Sequence, residues 1–346
     1  MIAFRVPDPR RPAVADLAAP SPRGASLESF VPPPRFGATD FASYRPTDPS
    51  QATARDRVAA FAADAARPRR PAPWRRPRSG VGLYLDGGFG VGKTHLLAAA
   101  WHASPLPDAA KRYLSFQELV FVLGVLGRDG AAEAFDGVRL LCLDEFELDD
   151  PGNTLLIATF LRGAFARGTD VLTTSNTDPA AQGRGRFAAQ DFRREIQGIA
   201  DRFEVVRLEG PDHRAGRREG GWTPPDALDA AVAEAAGTVA VGTGADLHAV
   251  LERHHPVRYR DVLAGVDALA LVDLAPIASQ NEALRFVHFV DKAYDLGVGL
   301  RAHGPHPPDA LFDARYREGA YAKKHHRALS RLAEMLADPF PGGAAR

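Results

Sequence analysis

Short apolar runs alternate with helical stretches between residues 81 and 210. Strands that alternate with crossover helices are typical of a parallel sheet. Ser115 begins a capping box, Ser-Phe-Gln-Glu, and further helices are predicted after Gly92, from Asp150 to Arg167 and around 187–202. The predicted strands are VGLYLD (81–86), KRYLSF (111–116), RLLCLDEF (139–146), DVLTTSN (170–176) and FEVVRL (203–208). This part of the chain is therefore predicted to be an α/β core with helices flanking a parallel sheet.

The segments around this core differ in composition. Residues 1–35 are rich in Pro, Ala and Arg and predict an arm, loose or adherent. Residues 36–80 predict a helix, with Asp48 as its cap and Pro49 at its first position, followed by a basic connector. Residues 211–346 predict a smaller C-terminal α/β and helical extension. Its strands are expected at 257–263, 268–274 and 298–304, and its helices at 280–296 and 320–337.

Composition narrows the class of protein. The chain has 346 residues, 45% hydrophobic and 25% charged, and no run approaches the ~18 apolar residues of a membrane span. Its 43 basic and 43 acidic residues balance, so no overall field favours nucleic acid or an anionic membrane. One cysteine, Cys142, excludes an intrachain disulfide, and the N-terminus does not read as a secretory signal. We expect a cytoplasmic protein that is not integral to the membrane.

A glycine-rich loop is the strongest chemical signal in the chain. It matches G-x-x-x-x-G-K-[ST] and lies between a predicted strand and a predicted helix. Its glycine backbone can wrap a phosphate, Lys93 can reach β- and γ-phosphate oxygens, and the Thr94 hydroxyl can ligate Mg²⁺. The alternative is an ordinary glycine-rich turn. The loop consists of Gly87, Gly88, Phe89, Gly90, Val91, Gly92, Lys93 and Thr94.

Two adjacent carboxylates end the apolar strand Leu140-Leu141-Cys142-Leu143. At a strand end beside a phosphate loop, Asp144 can hold Mg²⁺ and Glu145 can deprotonate an attacking water. A glutamate after the aspartate favours a hydrolase over a kinase, which must exclude water. The alternative is a solvated strand end that caps the next loop.

The next strand also closes on polar residues, ending at Asn176. In a parallel sheet this end faces the same crevice as the phosphate loop. Asn176 can therefore hydrogen-bond the γ-phosphate or the attacking water. It can equally begin the Asn-Thr-Asp-Pro turn, and the two roles are compatible.

These elements, in this order, resemble the ZapE-type ATPases, the bacterial cell-division branch of an AAA-like P-loop family that also has a mitochondrial branch. The resemblance runs from about residue 32 to residue 336. It is carried by PPPRF (32–36), GLYLDGGFGVGKTHL (82–96), LLCLDEFELDD (140–150), FARGTDVLTTSNTDP (165–179), FEVVRLEGPDHR (203–214) and LSRLAEM (329–335).

The resemblance implies an AAA-like nucleotide domain, ATP hydrolysis, assembly as a ring or dimer, and a role at the division machinery. It also implies that the segment before the phosphate loop contacts adenine. In this chain that segment holds Phe41, Tyr44 and Gln51, for which plain packing is the alternative.

One family feature is altered in this chain. Family members commonly carry Leu-Gln-Arg-x-Arg-Phe after the sensor turn, but a gapless reading puts Ala189 and Asp191 at the arginine positions. Arg194 and Arg186 are therefore the candidates for an arginine finger, with Arg193 beside them, and a solvated helix face is the alternative. Farther along, Arg331 is a candidate second sensor, again with a surface helix as the alternative.

Together these features predict a Mg²⁺-dependent ATPase, with residues 81–210 as its core, that remodels a protein partner, and the resemblance implies a partner at the cell-division apparatus. The alternative is a nucleic-acid motor or loader, and a third reading is a nucleotide-gated binding module with negligible turnover. Trp74 and six nearby arginines can grip a nucleic acid, although a charged linker is the commoner explanation. These arginines stand at positions 67, 69, 70, 75, 76 and 78.

Overall fold

The computed structural model describes residues 10–19, 30–67, 79–148, 151–179, 193–211, 220–318 and 321–340. The chain forms two compact units. One is Gly24–Ala215, and the other combines Met1–Arg23 with Gly216–Arg346. In the described ranges, no helix is both long enough and apolar enough to cross a membrane.

The larger unit contains a five-stranded sheet in which all described neighbours run parallel. The strand order is β2-β3-β4-β1-β5, so the first strand lies between the fourth and the fifth. The predicted α/β fold with a parallel sheet is confirmed. The strands are β1 (Gly82–Gly87), β2 (Lys111–Ser115), β3 (Leu140–Asp144), β4 (Asp170–Ser175) and β5 (Phe203–Leu208).

Helices cover both faces of this sheet. Leu83 and Leu85 of β1 share a core with α1 and α2, whereas Tyr84 packs into the core on the opposite face, with α3, α4 and α5. Cys142 lies in the α1 and α2 core, where burial raises the pKa of its thiol. The helices are α1 (Pro49–Ala65), α2 (Lys93–Ala103), α3 (Phe116–Ala134), α4 (Pro151–Ala166) and α5 (Arg193–Ala200).

Two helix starts follow the predicted cap chemistry. The Asp48 side chain accepts a 2.8 Å hydrogen bond from the Ser50 amide, and Pro49 occupies the first helical position of α1. At α3, Ser115 and Glu118 form a reciprocal capping box. These bonds satisfy amide groups that the first turn of a helix otherwise leaves without partners.

The smaller unit contains a three-stranded parallel sheet in the order β6-β7-β8. Its strands are β6 (Val239–Thr243), β7 (Ala268–Val272) and β8 (Gly299–Ala302). The helices of this unit are α6 (Pro225–Glu234), α7 (Gly244–Arg253), α8 (Tyr259–Val262), α9 (Gln280–Leu296), α10 (Ala314–Glu318) and α11 (Ala322–Ala337).

The strand predicted at 257–263 is wrong. This segment forms a short 3₁₀ turn, Pro256–Arg258, followed by α8. The side chains of Tyr259, Val262 and Leu263 are all buried, which is the i, i+3, i+4 spacing of a helix face. β6, which the sequence did not predict, lies at one edge of the sheet instead.

Part of the N-terminal segment packs along that edge. The amides of Val239 and Val241 donate 2.9 Å hydrogen bonds to the carbonyls of Arg10 and Pro12, and Ala13 forms a parallel bridge with Val241. Val14 is fully buried in the core of the smaller unit. Residues 10–17 thus cover an edge strand with backbone hydrogen bonds.

Candidate functional site

The glycine-rich loop joins β1 to α2, at the carboxyl end of a central strand. Gly92 has a φ of +87°, a left-handed conformation that favours glycine. A Cβ atom on Gly92 would also lie only 2.5 Å from Cε2 of Tyr44. Glycine is therefore required here by both backbone conformation and space, immediately before Lys93 begins α2.

Tyr44 supports the loop from the α1 side. Its hydroxyl donates a 2.8 Å hydrogen bond to the carbonyl of Val91, and its ring centroid lies 5.3 Å from that of His95. Burial raises the pKa of Tyr44 to about 12, so the phenol remains a neutral donor. Phe41 is half-buried against the same core. Tyr44 thus fixes the loop by packing and by one hydrogen bond.

The Gln51 side chain is buried, and both ends of its amide are bonded to the protein. Its Oε1 accepts a 2.8 Å hydrogen bond from the Thr47 amide, and its Nε2 donates one of 2.8 Å to the carbonyl of Glu209. Gln51 therefore ties the start of α1 to the residue that follows β5.

Lys93 joins the loop to the neighbouring strand. Its Nζ donates hydrogen bonds to the carbonyls of Gly87 and Gly88, at 2.8 and 2.5 Å, and to Oδ1 of Asn176 at 2.8 Å. The lysine is buried, with 9% of its surface exposed. The structure thus brings together two residues predicted for the same site that stand far apart in the chain.

The carboxylate of Asp144, at the end of β3, accepts hydrogen bonds from three hydroxyl groups. Its Oδ1 accepts hydrogen bonds from the hydroxyls of Thr94, at 3.2 Å, and Thr174, at 2.5 Å, and its Oδ2 accepts one of 3.3 Å from Tyr113. Carboxylate and hydroxyl oxygens are the hard ligands that Mg²⁺ prefers. The Thr94 and Asp144 pair therefore has the donor chemistry expected for this cation.

Glu145 adopts a strained backbone conformation directly after this carboxylate. Its φ is +58°, which is rare for a residue with a side chain and which clusters at functional sites. The Glu145 amide donates a 3.0 Å hydrogen bond to Oγ1 of Thr174, and that hydroxyl donates to Asp144. Thr174 therefore links both acidic residues to β4.

Sequence reasoning did not single out Thr174, Asp86 or Arg207. Asp86 on β1 and Arg207 on β5 are register partners, and Nε of Arg207 lies 3.7 Å from Oδ2 of Asp86. Arg207 also pairs with Asp178, at 2.9 Å. Burial, together with the nearby charge of Asp178, raises the pKa of Asp86, and Arg207 counteracts part of that rise. Polar residues at strand ends were the only available signal.

Three arginines were candidates for a role at the nucleotide: Arg194, Arg186 and Arg331. Arg194 is exposed in the first turn of α5, and in the described ranges no hydrogen bond or ion pair joins it to Lys93, Asp144 or Glu145. Arg186 lies outside the described residues. In the smaller unit, Arg331 is buried and pairs with Asp291 at 2.7 Å. The alternative that it lies on a solvated helix surface is therefore wrong.

Comparison with known proteins finds curated relatives that match part of the chain. Cell division protein ZapE of Escherichia coli K12 is 30% identical over 144 residues, which cover 38% of this chain and 38% of that relative. ZapE of Escherichia coli O157:H7 matches to the same extent. The match therefore spans less than half the length of these curated relatives.

Solved structures also align with the chain. The structure of DnaI aligns with 54% of this chain and 98% of its own at 20% identity, with a TM-score of 0.41. Domain III of the Thermotoga maritima replication initiation protein DnaA aligns with 89% of this chain and 99% of its own at 16% identity, with a TM-score of 0.39.

The family match extends beyond these segments and bears out the predicted resemblance. The sequence profile of the AFG1-like ATPases matches residues 41–238 and 225–340, which include the glycine-rich loop, the paired carboxylates and the smaller unit's sheet. The chain belongs to the AFG1-like ATPase family.

Proposed function

We propose that the chain binds ATP and hydrolyses it to ADP and phosphate with the help of Mg²⁺. The observation that carries this proposal is the contact between Lys93 and Asn176, beside the bonded pair Thr94 and Asp144. A phosphate-binding lysine, a polar sensor and a hydroxyl–carboxylate pair are the parts that phosphoryl transfer requires.

Phosphate binding falls to the loop and to the first turn of α2. Amide groups at a helix N-terminus attract anions, and the left-handed Gly92 turns the loop backbone into that position. The Nζ of Lys93 exchanges its hydrogen bonds to the carbonyls of Gly87 and Gly88 for bonds to the β- and γ-phosphate oxygens. In this account Phe89, Gly90 and Val91 contribute backbone rather than side chains.

Thr94 and Asp144 would hold Mg²⁺, Asp144 through water. When bound, this cation neutralises negative charge on the phosphate oxygens. Thr174 and Tyr113 hold the Asp144 carboxylate in place by donating to its two oxygens. They thereby orient the carboxylate toward Thr94. Because the Asp144 side chain is already held in place, it loses less conformational entropy when a metal binds.

Glu145 is the proposed general base. Its strained backbone, together with the hydrogen bond from its amide to Thr174, fixes the position of the Glu145 backbone directly after β3. The carboxylate takes a proton from the attacking water, and Asn176 hydrogen-bonds either that water or the γ-phosphate. Lys93 then stabilises charge on the phosphate as the bond to ADP breaks.

Adenine recognition is proposed for the segment that contains Phe41, Tyr44 and Gln51. Phe41 is half-buried and is the ring proposed to contact the base, whereas the buried Tyr44 is proposed to hold the loop through Val91. Because the Gln51 amide is bonded to Thr47 and Glu209, its proposed contribution is to position the segment. Competition between ATP and GTP tests the preference, and equal affinities would contradict it.

The proposed use of the energy is remodelling of a protein client by a cytoplasmic homo-oligomer, a ring or a dimer. The similarity to cell division protein ZapE supports a client at the bacterial division apparatus. The six arginines of the basic connector mostly lie outside the described residues, and the structure adds nothing in favour of a nucleic-acid motor.

Two variants test the hydrolysis proposal. Lys93→Ala should lose ATP binding, whereas Glu145→Gln should bind ATP and release no phosphate, because only the second residue acts on water. Binding is measured with a fluorescent ATP analogue and turnover by steady-state phosphate release, with and without single-stranded DNA. Wild-type ATP affinity in Lys93→Ala would refute the loop assignment, and strong, salt-sensitive stimulation by DNA would favour a nucleic-acid motor.

A further inference from the structure

A groove lies between α4 and α5, on the sheet face that α1 and α2 do not cover. Its floor is apolar, with Leu161 and Phe165 from α4 and Ile199 from α5, all buried. The cavity holds about 280 Å³. The Phe165 ring lies 5.7 Å from that of Phe203, which begins β5, so the groove reaches the amino end of the sheet. The nucleotide loop lies at the opposite, carboxyl end.

Arginines surround this apolar floor. Arg162, Arg194 and Arg202 line the groove and are exposed, and Glu195 is the one acidic residue among the described residues of its lining. In the described ranges, none of the three has a carboxylate oxygen within 4.0 Å. The guanidinium carbon of Arg202 lies 5.9 Å from the Phe165 ring centroid. Among the described residues, this apolar cavity thus carries an excess of positive charge without a neutralising carboxylate.

We propose that this groove binds an acidic segment of a partner protein. One aromatic or aliphatic side chain of that segment enters the cavity, and its flanking carboxylates pair with Arg162 and Arg202. Arginine binds carboxylates through two parallel hydrogen bonds, and this geometry adds specificity to the attraction. The cavity is slightly below the ~300 Å³ at which small-molecule pockets begin, which favours a side chain over a free cofactor.

Gly198 offers a way to close the groove. It lies on α5 and lines the cavity, and a Cβ atom there would meet no atom within 4 Å. Gly198→Leu therefore adds an apolar side chain at the groove with room for its Cβ atom, and leucine favours a helix more than glycine does. Gly124 on α3 also has open space around it but does not line the groove, so Gly124→Leu is a matched control.

The test is binding of labelled peptides to the full chain. The probes are fluorescein-labelled nine-residue peptides with three Glu or Asp on each side of an apolar centre that varies among Phe, Trp, Tyr, Leu, Ile and Met. Control peptides carry Lys for the acids or Ala for the centre. Fluorescence anisotropy at several salt concentrations measures affinity. Wild type should bind at least one acidic apolar peptide tenfold or more tightly than its controls, and salt should weaken binding.

The variants decide whether the groove is responsible. Arg162→Glu with Arg202→Glu, and separately Gly198→Leu, should each weaken binding at least tenfold. Gly124→Leu should bind like wild type, and so should Arg128→Glu, at an exposed position of α3 outside the groove. Circular dichroism checks folding. No preference for the acidic peptides, or unchanged affinity in both groove variants, overturns the proposal.

Two further measurements separate this proposal from others. If the groove variants lose self-association by sedimentation but keep peptide binding, the groove is a contact with a second copy and the proposal is wrong. The readout does not depend on turnover. If the protein hydrolyses ATP but binds no acidic peptide, only the proposed peptide binding by the groove is wrong. If it binds an acidic peptide but does not hydrolyse ATP, only the proposed hydrolysis is wrong.

Discussion

The Nζ atom of Lys93 lies 2.8 Å from Oδ1 of Asn176, so a side chain at the start of α2 is bonded to one that follows β4. β1 and β4 are neighbouring parallel strands, and Asp86 pairs in register with Ser175. The residues that follow these strands therefore meet at one edge. A hydrogen bond therefore connects the first residue of α2 directly to the Asn176 turn.

The first prediction concerns Asn176. Asn176→Ala should lower the ATPase rate about 100-fold, the loss expected when one preorganised hydrogen-bonding group is removed, with a small change in ATP affinity. Rates come from phosphate release and affinities from titration of a fluorescent ATP analogue. Asn281→Ala, an exposed position on α9, is the control. An equal loss of affinity and rate would instead assign Asn176 to ground-state binding.

The second prediction concerns the pair Gly92 and Tyr44. Tyr44→Phe removes one hydrogen bond to Val91, worth about 1 kcal/mol, and should weaken ATP binding moderately. Gly92→Ala should abolish binding, because its φ of +87° and the 2.5 Å approach to Tyr44 both exclude a Cβ atom. The double variant Gly92→Ala with Tyr44→Ala removes the clash and should recover part of the affinity. Full binding by Gly92→Ala alone would contradict this account.

The predictable part of the site follows from strand ends. Apolar runs stop at Asp144 and Asn176, and the glycine-rich loop follows β1, so the sequence predicted that these residues meet at the carboxyl ends of parallel strands. In the structure they do lie at the carboxyl ends of neighbouring strands. The link between Asp86 and Arg207 was not predictable, because it depends on the register of β1 with β5, strands far apart in the sequence. Thr174 was one of several polar residues, and only the geometry selects it.

Edge pairing explains another failure of the sequence pattern. The contact of residues 10–17 with β6 uses backbone amides and carbonyls, which every sequence offers, and only Val14 contributes a fully buried side chain. A Cβ atom on Gly242 would lie 2.7 Å from Cβ of Val14, so glycine in β6 admits this close approach. Hydrophobic periodicity detects the buried faces of strands and not their edges, which is why β6 was missed and residues 10–17 were predicted only as part of an arm, loose or adherent.

The third prediction is a pH dependence of stability in the smaller unit. Burial alone would raise the pKa of Asp291, but Arg327 at 2.5 Å and Arg331 at 2.7 Å outweigh it and hold the pKa far below its ordinary value. A lowered pKa in the folded state gives stability that is present above the unfolded value of about 3.9 and is lost as pH falls below it. Asp291→Asn should therefore cost about 3–5 kcal/mol at pH 7.

This cost should shrink as the pH falls from about 5 to about 2, because the unfolded wild-type carboxylate binds a proton in that range while the folded one, whose pKa is lowered, keeps its charge. Urea unfolding followed by the fluorescence of Trp222, which packs against the core of the smaller unit, measures the difference. Asp309→Asn at an exposed position is the control. A cost that stays constant across this range would show that the ion pairs contribute little to stability.

The last prediction concerns the arginine finger. In the proposed mechanism Lys93 contacts the terminal phosphate from one side, and an arginine from a neighbouring subunit on the other side would speed hydrolysis ~10³–10⁵-fold. Arg194 is exposed and has no ion-pair partner in the described ranges, so its guanidinium is available to a neighbour. Arg194→Ala should bind ATP normally and turn over poorly, and Arg186→Ala is the second candidate.

Mixing subunits tests whether the finger acts between copies. Arg194→Ala has an intact Glu145, and Glu145→Gln has an intact Arg194, so each variant alone is inactive for a different reason. In a mixed assembly the Glu145→Gln subunit lends its arginine to the site of the Arg194→Ala subunit, and activity should return in proportion to mixed contacts. Lys93→Ala with Glu145→Gln is the control mixture, because both defects lie within one site. Co-assembled mixtures that show no recovery at any ratio would mean that Arg194 does not act across a subunit boundary.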